Sequence, residues 1–519
     1  MSAPDSAGEL YSLAAGLRIA FQNADYTTDG VLDLLGDEAH GALGRGEPVP
    51  VRRACADSGS LGTLIRLLLL GDTCTRSQVS AALSPVGIDE AIGAGLLDAD
   101  GAGVCAAVDL RPVDLGSGNR WLFSDLDGTM RRKAITEDHV LGVGHASLSL
   151  LRATATNPVG SVLDVGTGCG VQAIHAADFA GHVTATDITD RSLAMTRAGV
   201  AINGIDPARV TLSKGAWFGP VGGRQFDLIV ANPPFVVGPP EVTHTYRDSG
   251  LDLDGASELM CRTAPKFLTE GGNAAMLASW VITDDDWRAR ISPWIPDTGV
   301  DAWVVQRDVA DPALYVGTWL RDAGHDPRDP ASAELADRWL RHLDRAGVSG
   351  IGFGFVFLRR TDEPTDLLAE ELGHSFDDPL GPEADDYLRR TAWLRTHDLM
   401  SERFCVADGA ALERVATLNP DTGWQDVVMR IHRPDGPRWS HEIDTLGQAL
   451  LAGLRPDGLT LGEITELLSV ATGDERIDDD AVENLVEGLI RHGIVLPARW
   501  NNDCRETSGH SQQLLRPFI

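Results

Sequence analysis

One stretch, Ser161 to Phe235, constrains this chain more than any other. It opens with Ser161-Val-Leu-Asp-Val-Gly-Thr-Gly-Cys-Gly170, passes through Val183-Thr-Ala-Thr-Asp187 and closes on Phe226-Asp-Leu-Ile-Val-Ala-Asn-Pro-Pro-Phe235. Val162, Leu163 and Val165 make the short apolar run that a buried parallel strand needs. Gly166, Gly168 and Gly170 then let the backbone turn sharply and approach a ligand where a side chain would collide. Val171 to Ala180 is Ala-rich and apolar on one face, the pattern of the helix in a βα unit. Asp187 follows about twenty residues on, where a carboxylate at the tip of the next strand accepts both hydroxyls of a ribose. These features fit any nucleoside cofactor, and a tight structural turn accounts for the glycines alone.

Asn232-Pro-Pro-Phe235 discriminates further. Two prolines fix φ and remove two backbone donors, which leaves the neighbouring carbonyls available to a ligand. The Asn side chain and the first proline-flanked carbonyl suit the hydrogens of an NH2 group, and Phe235 offers a flat face to a planar amide or base. A planar sp2 nitrogen is a poor nucleophile because its lone pair is delocalised. Fixing its hydrogens in acceptors and aligning it with an electrophilic methyl supplies what it lacks.

Taken together, Gly166-Thr-Gly-Cys-Gly170, Asp187 and Asn232-Pro-Pro-Phe235 resemble class I S-adenosylmethionine (SAM) methyltransferases of the Asn-Pro-Pro-aromatic type. The continuation Val236-Val-Gly-Pro-Pro-Glu241 resembles the archaeal and eukaryotic branch of the HemK/PrmC-like glutamine methyltransferases. Gly250 to Gly255 and Ala264-Pro-Lys-Phe-Leu-Thr-Glu-Gly-Gly272 fit that branch's next helix and turn, so the resemblance covers roughly Ser161 to Leu277. It implies a seven-stranded Rossmann-like α/β domain that binds SAM and uses no metal. Cofactor contacts are expected from Asp164, Gly166, Thr167, Gly168, Gly170, Asp187, Ile188, Gly215, Ala216, Trp217 and Asn232. Catalytic contacts are expected from Asn232, Pro233, Pro234 and Phe235, with Asp164 supporting the loop or the methionine ammonium. Two departures stand out: Phe235 replaces the usual Tyr, and Ala216 stands where an acidic residue often follows the third strand, leaving Trp217 or Phe218 to pack on adenine. The substrate implied is a protein glutamine amide. The alternatives are an exocyclic amine of RNA or DNA (adenine N6 or guanine N2), a small-molecule amine, or a SAM-binding scaffold without catalysis.

Charge bears on that choice. The net charge of −32 opposes attraction to polyanions, so nucleic acid binding needs a local basic patch. The lysines are only Lys133, Lys214 and Lys266. A macromolecular substrate is expected, protein before nucleic acid, with no membrane partner.

A chain of 519 residues predicts several domains. The expected division is a helical, winged-helix-like module over 1–115, the methyltransferase domain over 116–361 and an accessory domain with a second winged-helix-like module over 362–519. In the first module Leu61 to Leu70, Gln78 to Leu83 and Ile88 to Leu97 read as helices, and Val104 to Leu110 as a wing strand. Its Asp and Glu outnumber its Arg, which favours docking over DNA binding. Leu446 to Leu454, Leu461 to Ala471, Asp480 to His492 and Gly493 to Pro497 repeat the pattern. Trp121-Leu-Phe-Ser-Asp-Leu-Asp-Gly-Thr129 resembles the nucleophile loop of haloacid-dehalogenase-type phosphatases. No suitably placed Lys and acidic pair follows, so a turn leading into the first methyltransferase helix is expected there instead.

Within the middle domain Gly142, Gly144 and His145 are expected to border the methionine end of the cofactor. In the loop Gly238 to Asp254, the groups Tyr246, Arg247 and Asp248 either touch substrate or lie on the surface. Ala274 to Ala278, Ala302 to Val305 and Ile351 to Phe357 read as the fifth to seventh strands, and Ala331 to Ala346 as an amphipathic helix. Thr361 to Gly381 reads as a linker or an irregular crossing. The seven cysteines form no C-x-x-C pair or metal spacing, which suggests a reducing compartment, with Cys169 a small filler between glycines. The first residues lack the basic start of a signal peptide, and Leu67 to Leu70 is too short to span a bilayer, so the cytoplasm is expected.

Overall fold

The apolar run before the glycines becomes β1 (Val159–Val165), paired on both sides by parallel strands. Val162 to Val165 are all buried, so both faces are covered, which is why the run lacks polar alternation. The computed structural model describes residues 6–126, 136–242, 245, 248–284, 286–372, 380–472 and 477–500. The chain falls into two compact units, divided between residues 373 and 374.

In the first unit α1 (His145–Ala153) precedes β1, and α2 (Val171–Ala176), β2 (Ala180–Asp187), α3 (Asp190–Ile202), β3 (Val210–Lys214) and β4 (Phe226–Ala231) follow. Then come α4 (Gly255–Thr263), β5 (Leu268–Ile282), β6 (Thr298–Ala310), α5 (Pro312–Asp322), α6 (Pro330–Arg345), β7 (Gly350–Pro364) and β8 (Leu367–Glu371). The eight strands form one sheet in the order β3-β2-β1-β4-β5-β7-β6-β8. β7 runs antiparallel to both β5 and β6, whereas the other pairings are parallel. The strand order reverses between β1 and β4, and Val165 pairs with Ala231 at their carboxyl ends. Gly166 and Asn232 therefore leave the sheet side by side, at the switch point where open α/β sheets bind ligands.

The fifth to seventh strands lie where the pattern predicts them, within β5, β6 and β7. The eighth corrects the sequence reading, because Leu367–Glu371 lies in the stretch expected to be a linker. Its glutamates, which suggest a solvated segment, instead accept buried indole N–H groups. Glu370 takes Trp303 Nε1 at 2.6 Å and Glu371 takes Trp287 Nε1 at 2.7 Å.

Residues 59–106 form three short helices and a three-stranded antiparallel sheet. The predicted helix Leu61 to Leu70 is an α-helix Gly59–Leu64 that runs into a π-helical turn, Ile65–Leu69. The helix expected over Ile88 to Leu97 stops at Gly93, and Leu97–Asp100 is already strand. The expected wing strand divides into Gly103–Ala106 and Asp109–Asp114. The latter pairs with Asn119–Ser124, so the start of the phosphatase-like stretch is a hairpin strand rather than a loop or turn. Asp127 and Thr129 lie outside the described residues. The amino-terminal region shares one hydrophobic core with Ile174 of α2 and Met195, Ala198 and Ile202 of α3.

The second unit contains the helices Leu380–Leu394, Thr445–Gly453, Leu461–Thr472 and Asp479–Arg491. Strand Val495–Pro497 pairs with Phe404–Val406. Leu450, Leu461, Val486 and Leu489 meet in its core. A long hairpin, Ala411–Asn419 with Gly423–His432, was not signalled by the sequence, because its strands bury neither face consistently. Buried Glu383 pairs with Arg390 and with Arg433. No helix among the described residues is long and apolar enough to cross a membrane.

Candidate active site

A cavity of about 330 Å³ opens at the carboxyl ends of β1, β2 and β4, within the ~300–1,000 Å³ range of small-molecule sites. One wall is formed by the loop after β1, whose glycines are all in the left-handed region at φ +74° (Gly166), +55° (Gly168) and +83° (Gly170). Their uses differ. A Cβ on Gly168 would meet nothing within 4 Å, so this glycine opens space in the cavity wall. A Cβ on Gly170 would lie 2.9 Å from Thr196 of α3, so that glycine serves helix packing and does not line the cavity. Gly166 passes beside the Asn232 carbonyl, where a Cβ would sit at 4.0 Å.

The loop is fixed from beneath. Gly166 and Thr167 both donate their N–H to the Thr186 carbonyl at 2.9 Å, tying β1 to the end of β2. Asp164 is 1% exposed, and its Oδ2 accepts the Thr167 hydroxyl at 2.6 Å and the Ala173 N–H at 3.1 Å. Burial raises its pKa to about 7, opposed by those two hydrogen bonds and reinforced by nearby Asp187. Asp164 thus supports the loop and does not line the cavity, and the Thr167 hydroxyl is spent on that support. Cys169 is buried, and desolvation pushes its thiol up to about 11, which suits a filler rather than a nucleophile.

Asp187 reaches the cavity, but part of its capacity is used. Oδ2 accepts Gly168 N–H at 3.0 Å and Oδ1 accepts Thr189 N–H at 2.9 Å. Oδ1 also accepts the Thr189 hydroxyl at 3.3 Å, so the lone pair still open to a ligand is the second one on Oδ2. Ile188 is 53% exposed at the rim, an unusual position for a large aliphatic side chain. Gly215, Ala216 and Trp217 complete this side. Gly215 N–H donates to the Asp187 carbonyl at 2.9 Å, and Trp217 adopts φ +51°. Phe218 is not at the site; it is buried and stacked on Phe267 at 4.7 Å.

At the other end Asn232, Pro233, Pro234 and Phe235 all line the cavity. Asn232 Nδ2 donates to Ser147 Oγ at 3.3 Å, which leaves Oδ1 directed elsewhere. Phe235 is 8% exposed, its ring rests 5.6 Å from Phe353, and its carbonyl accepts the Ser279 hydroxyl at 2.5 Å. Gly142 and Gly144 border the site as expected, whereas His145 is exposed and does not. Asp248 lines the cavity, and Tyr246 and Arg247 lie outside the described residues.

The segment over the site is anchored by the residue that resembled a phosphatase nucleophile. Asp125 accepts Val140 N–H and Arg191 Nε, both at 2.9 Å, and a further bond from Arg191 Nη2. Burial opposes its ionisation, but Arg191 and Val140 together hold the carboxyl below its ordinary pKa. Committed in this way, Asp125 pins Val140 against α3.

Sequence reasoning missed Ser147, Gln172 and Trp319. Gln172 is buried and donates to the Ser147 carbonyl at 2.8 Å, linking α2 to the start of α1. Trp319 enters from α5, far downstream of any motif, and no local signal marks it. For Ser147 the one available hint is a small polar residue in the first turn of a helix ahead of β1.

Residues 141–281 match the Methyltransferase small domain, while 23–107 and 385–497 match two domains of unknown function, DUF7059 and DUF7782. A ribosomal protein uL3 glutamine methyltransferase of Bradyrhizobium diazoefficiens is 35% identical over 149 residues, 27% of this chain and 46% of the relative. A release factor glutamine methyltransferase of Geobacter sulfurreducens is 34% identical over 124 residues, 22% of this chain and 43% of the relative. A ribosomal protein L11 methyltransferase of Lactobacillus helveticus is 43% identical over 88 residues, 17% of this chain and 27% of the relative. This chain therefore spans less than half the length of each.

Proposed function

We propose that this chain, whose residues 141–281 are a class I methyltransferase domain of the HemK/PrmC kind, methylates the side-chain amide nitrogen of a glutamine in a protein. The observation that carries the reading is the state of Asn232 at the switch point. Its Nδ2 is held by Ser147, so its Oδ1 is left as an acceptor for an NH2 group.

The donor half suits S-adenosylmethionine. The open space at Gly168 admits a ligand backbone closely, Asp187 Oδ2 retains acceptor capacity for a ribose hydroxyl, and Ile188 and Trp217 supply apolar surface for a base. When bound, SAM supplies an electrophilic methyl group on a sulfonium. Asn232 Oδ1 and the Pro233 carbonyl accept the two amide hydrogens and hold the nitrogen in line. Pro234 denies that site a competing backbone donor. Phe235 lies along the amide plane and excludes water. The chain needs no general base, because the nitrogen becomes acidic once it is cationic, and its proton passes to solvent.

Protein is preferred to nucleic acid because the chain carries −32 net charge. We read residues 59–106 and 445–497 as winged-helix-like modules that dock a protein partner, and the cytoplasm as the site of action. The test uses methyl-labelled SAM, the purified protein and lysate from a strain lacking it. Label that is lost with protease and recovered as methylglutamine supports the proposal. Label lost with nuclease, or none in any macromolecule, overturns it.

A further inference from the structure

The acceptor end of the cavity has a wall that the Asn-Pro-Pro-Phe stretch does not supply. α5 and α6 are inserted between β6 and β7, and β6 runs in the same direction as β4. The insertion therefore leaves the sheet at the edge where Asn232 sits. Its apolar residues Val316, Leu320, Trp339 and Leu343 form one core with Val236 and Val237, which immediately follow the motif. Polar contacts fix the same loop. Tyr315 Oη accepts Val237 N–H at 2.7 Å, and His342 Nε2 lies 2.8 Å from Asp252 Oδ1. At the loop's far end buried Asp254 takes Arg290 Nε at 3.0 Å and Val281 N–H at 3.0 Å. One helical turn after Tyr315, on the same face of α5, Trp319 packs against the core that holds Val236 and Val237 and lines the cavity together with Phe235, Val236 and Val242.

We infer that the α5–α6 hairpin is the acceptor-recognition element of the enzyme and that Trp319 is its specificity residue, covering the aliphatic stem of the glutamine side chain. The inference rests on the proposed reaction. Asn232 and Pro233 recognise an NH2 group, and that group is common to glutamine, asparagine and the nucleobase amines. Discrimination among them has to come from what surrounds the stem. An indole in the same cavity lining as Val236 and Val242 is an apolar surface suited to two methylenes.

The experiment compares wild type, Trp319→Ala and Trp319→Phe on blocked Ala-Ala-Gln-Ala-Ala and Ala-Ala-Asn-Ala-Ala peptides, and on protein from the deletion-strain lysate. S-adenosylhomocysteine affinity and Tm are measured alongside. Trp319→Ala is expected to keep both and to raise KM for the glutamine peptide about tenfold, the effect of uncovering two methylenes. Its kcat changes little, its preference for glutamine over asparagine narrows, and Trp319→Phe recovers most of both. If the peptides are too short to be methylated, the same tenfold loss is expected at limiting lysate protein. Unchanged KM and preference, or a parallel loss of S-adenosylhomocysteine affinity, overturns the assignment. A wild-type enzyme that labels no protein at all is distinguishable from either result and removes the underlying reaction with it.

Discussion

The two ends of the crevice are built by different means. The donor end comes from consecutive βα connections between Val165 and Trp217, whose loops follow parallel strands with little intervening chain. The acceptor end is assembled from distant pieces: Ser147 reaches Asn232 across 85 residues of sequence, and Trp319 arrives on an inserted helix. The first end is specified by backbone conformation, the second by side-chain packing. Substitutions at the donor end should therefore disturb cofactor affinity and folding, and those at the acceptor end turnover and selectivity.

The sharpest division is expected at Asn232. Asn232→Ala should lose roughly 10²–10³-fold in turnover, as when one preorganised transition-state contact is deleted, while S-adenosylhomocysteine affinity measured by calorimetry stays within twofold. Unchanged turnover would remove Asn232 from the chemistry. Gly170→Val should show the opposite pattern, destabilising the fold by about 2–4 kcal/mol in urea titration. It places a branched side chain against Thr196 in a left-handed conformation. A stable Gly170→Val protein that fails only in turnover would break the comparison.

Asp164 gives a pH test of the donor end. With its folded pKa near 7 and an ordinary unfolded value of 3.8, the folded state holds a proton that the unfolded state has lost between those limits. Stability from this group is complete below about pH 4, falls as the pH rises to about 7 and is level above it. The total is on the order of 4 kcal/mol. Asp164→Asn keeps an acceptor for Thr167 and Ala173 but cannot ionise, so its urea stability should lose that part of the pH slope. Identical slopes in the two proteins would show that Asp164 does not titrate in this range.

The smallest effect belongs to Ser147. Ser147→Ala frees the Asn232 amide to rotate, and loss of one neutral hydrogen bond of about 1 kcal/mol predicts a roughly fivefold fall in kcat. Ser147→Thr, which keeps the hydroxyl, should restore most of it. An effect confined to cofactor affinity would move Ser147 to the donor end.

Much of the fold was legible from strand and helix periodicity, including β1, β2, β4 and the cores of β5 to β7. The misreadings share a cause. β8 looked like an acidic linker because its glutamates gave no sign that tryptophans would come to meet them. The phosphatase-like stretch, set aside as a turn, begins as a hairpin strand, and only the fold brings Arg191 against Asp125. Phe218 and Trp217 are neighbours in sequence, yet one is buried on Phe267 and the other faces the cavity.

By itself the sequence determined the switch-point crevice, its glycine turn and the Asn-Pro-Pro-Phe stretch, because each depends on backbone freedom, proline geometry or strand burial over a few residues. Only the tertiary structure decided which way the Asn232 amide faces, which glycine opens the cavity and which packs a helix, and which aromatic closes the acceptor end. Those outcomes depend on contacts between residues far apart in the chain, and periodicity carries no record of them.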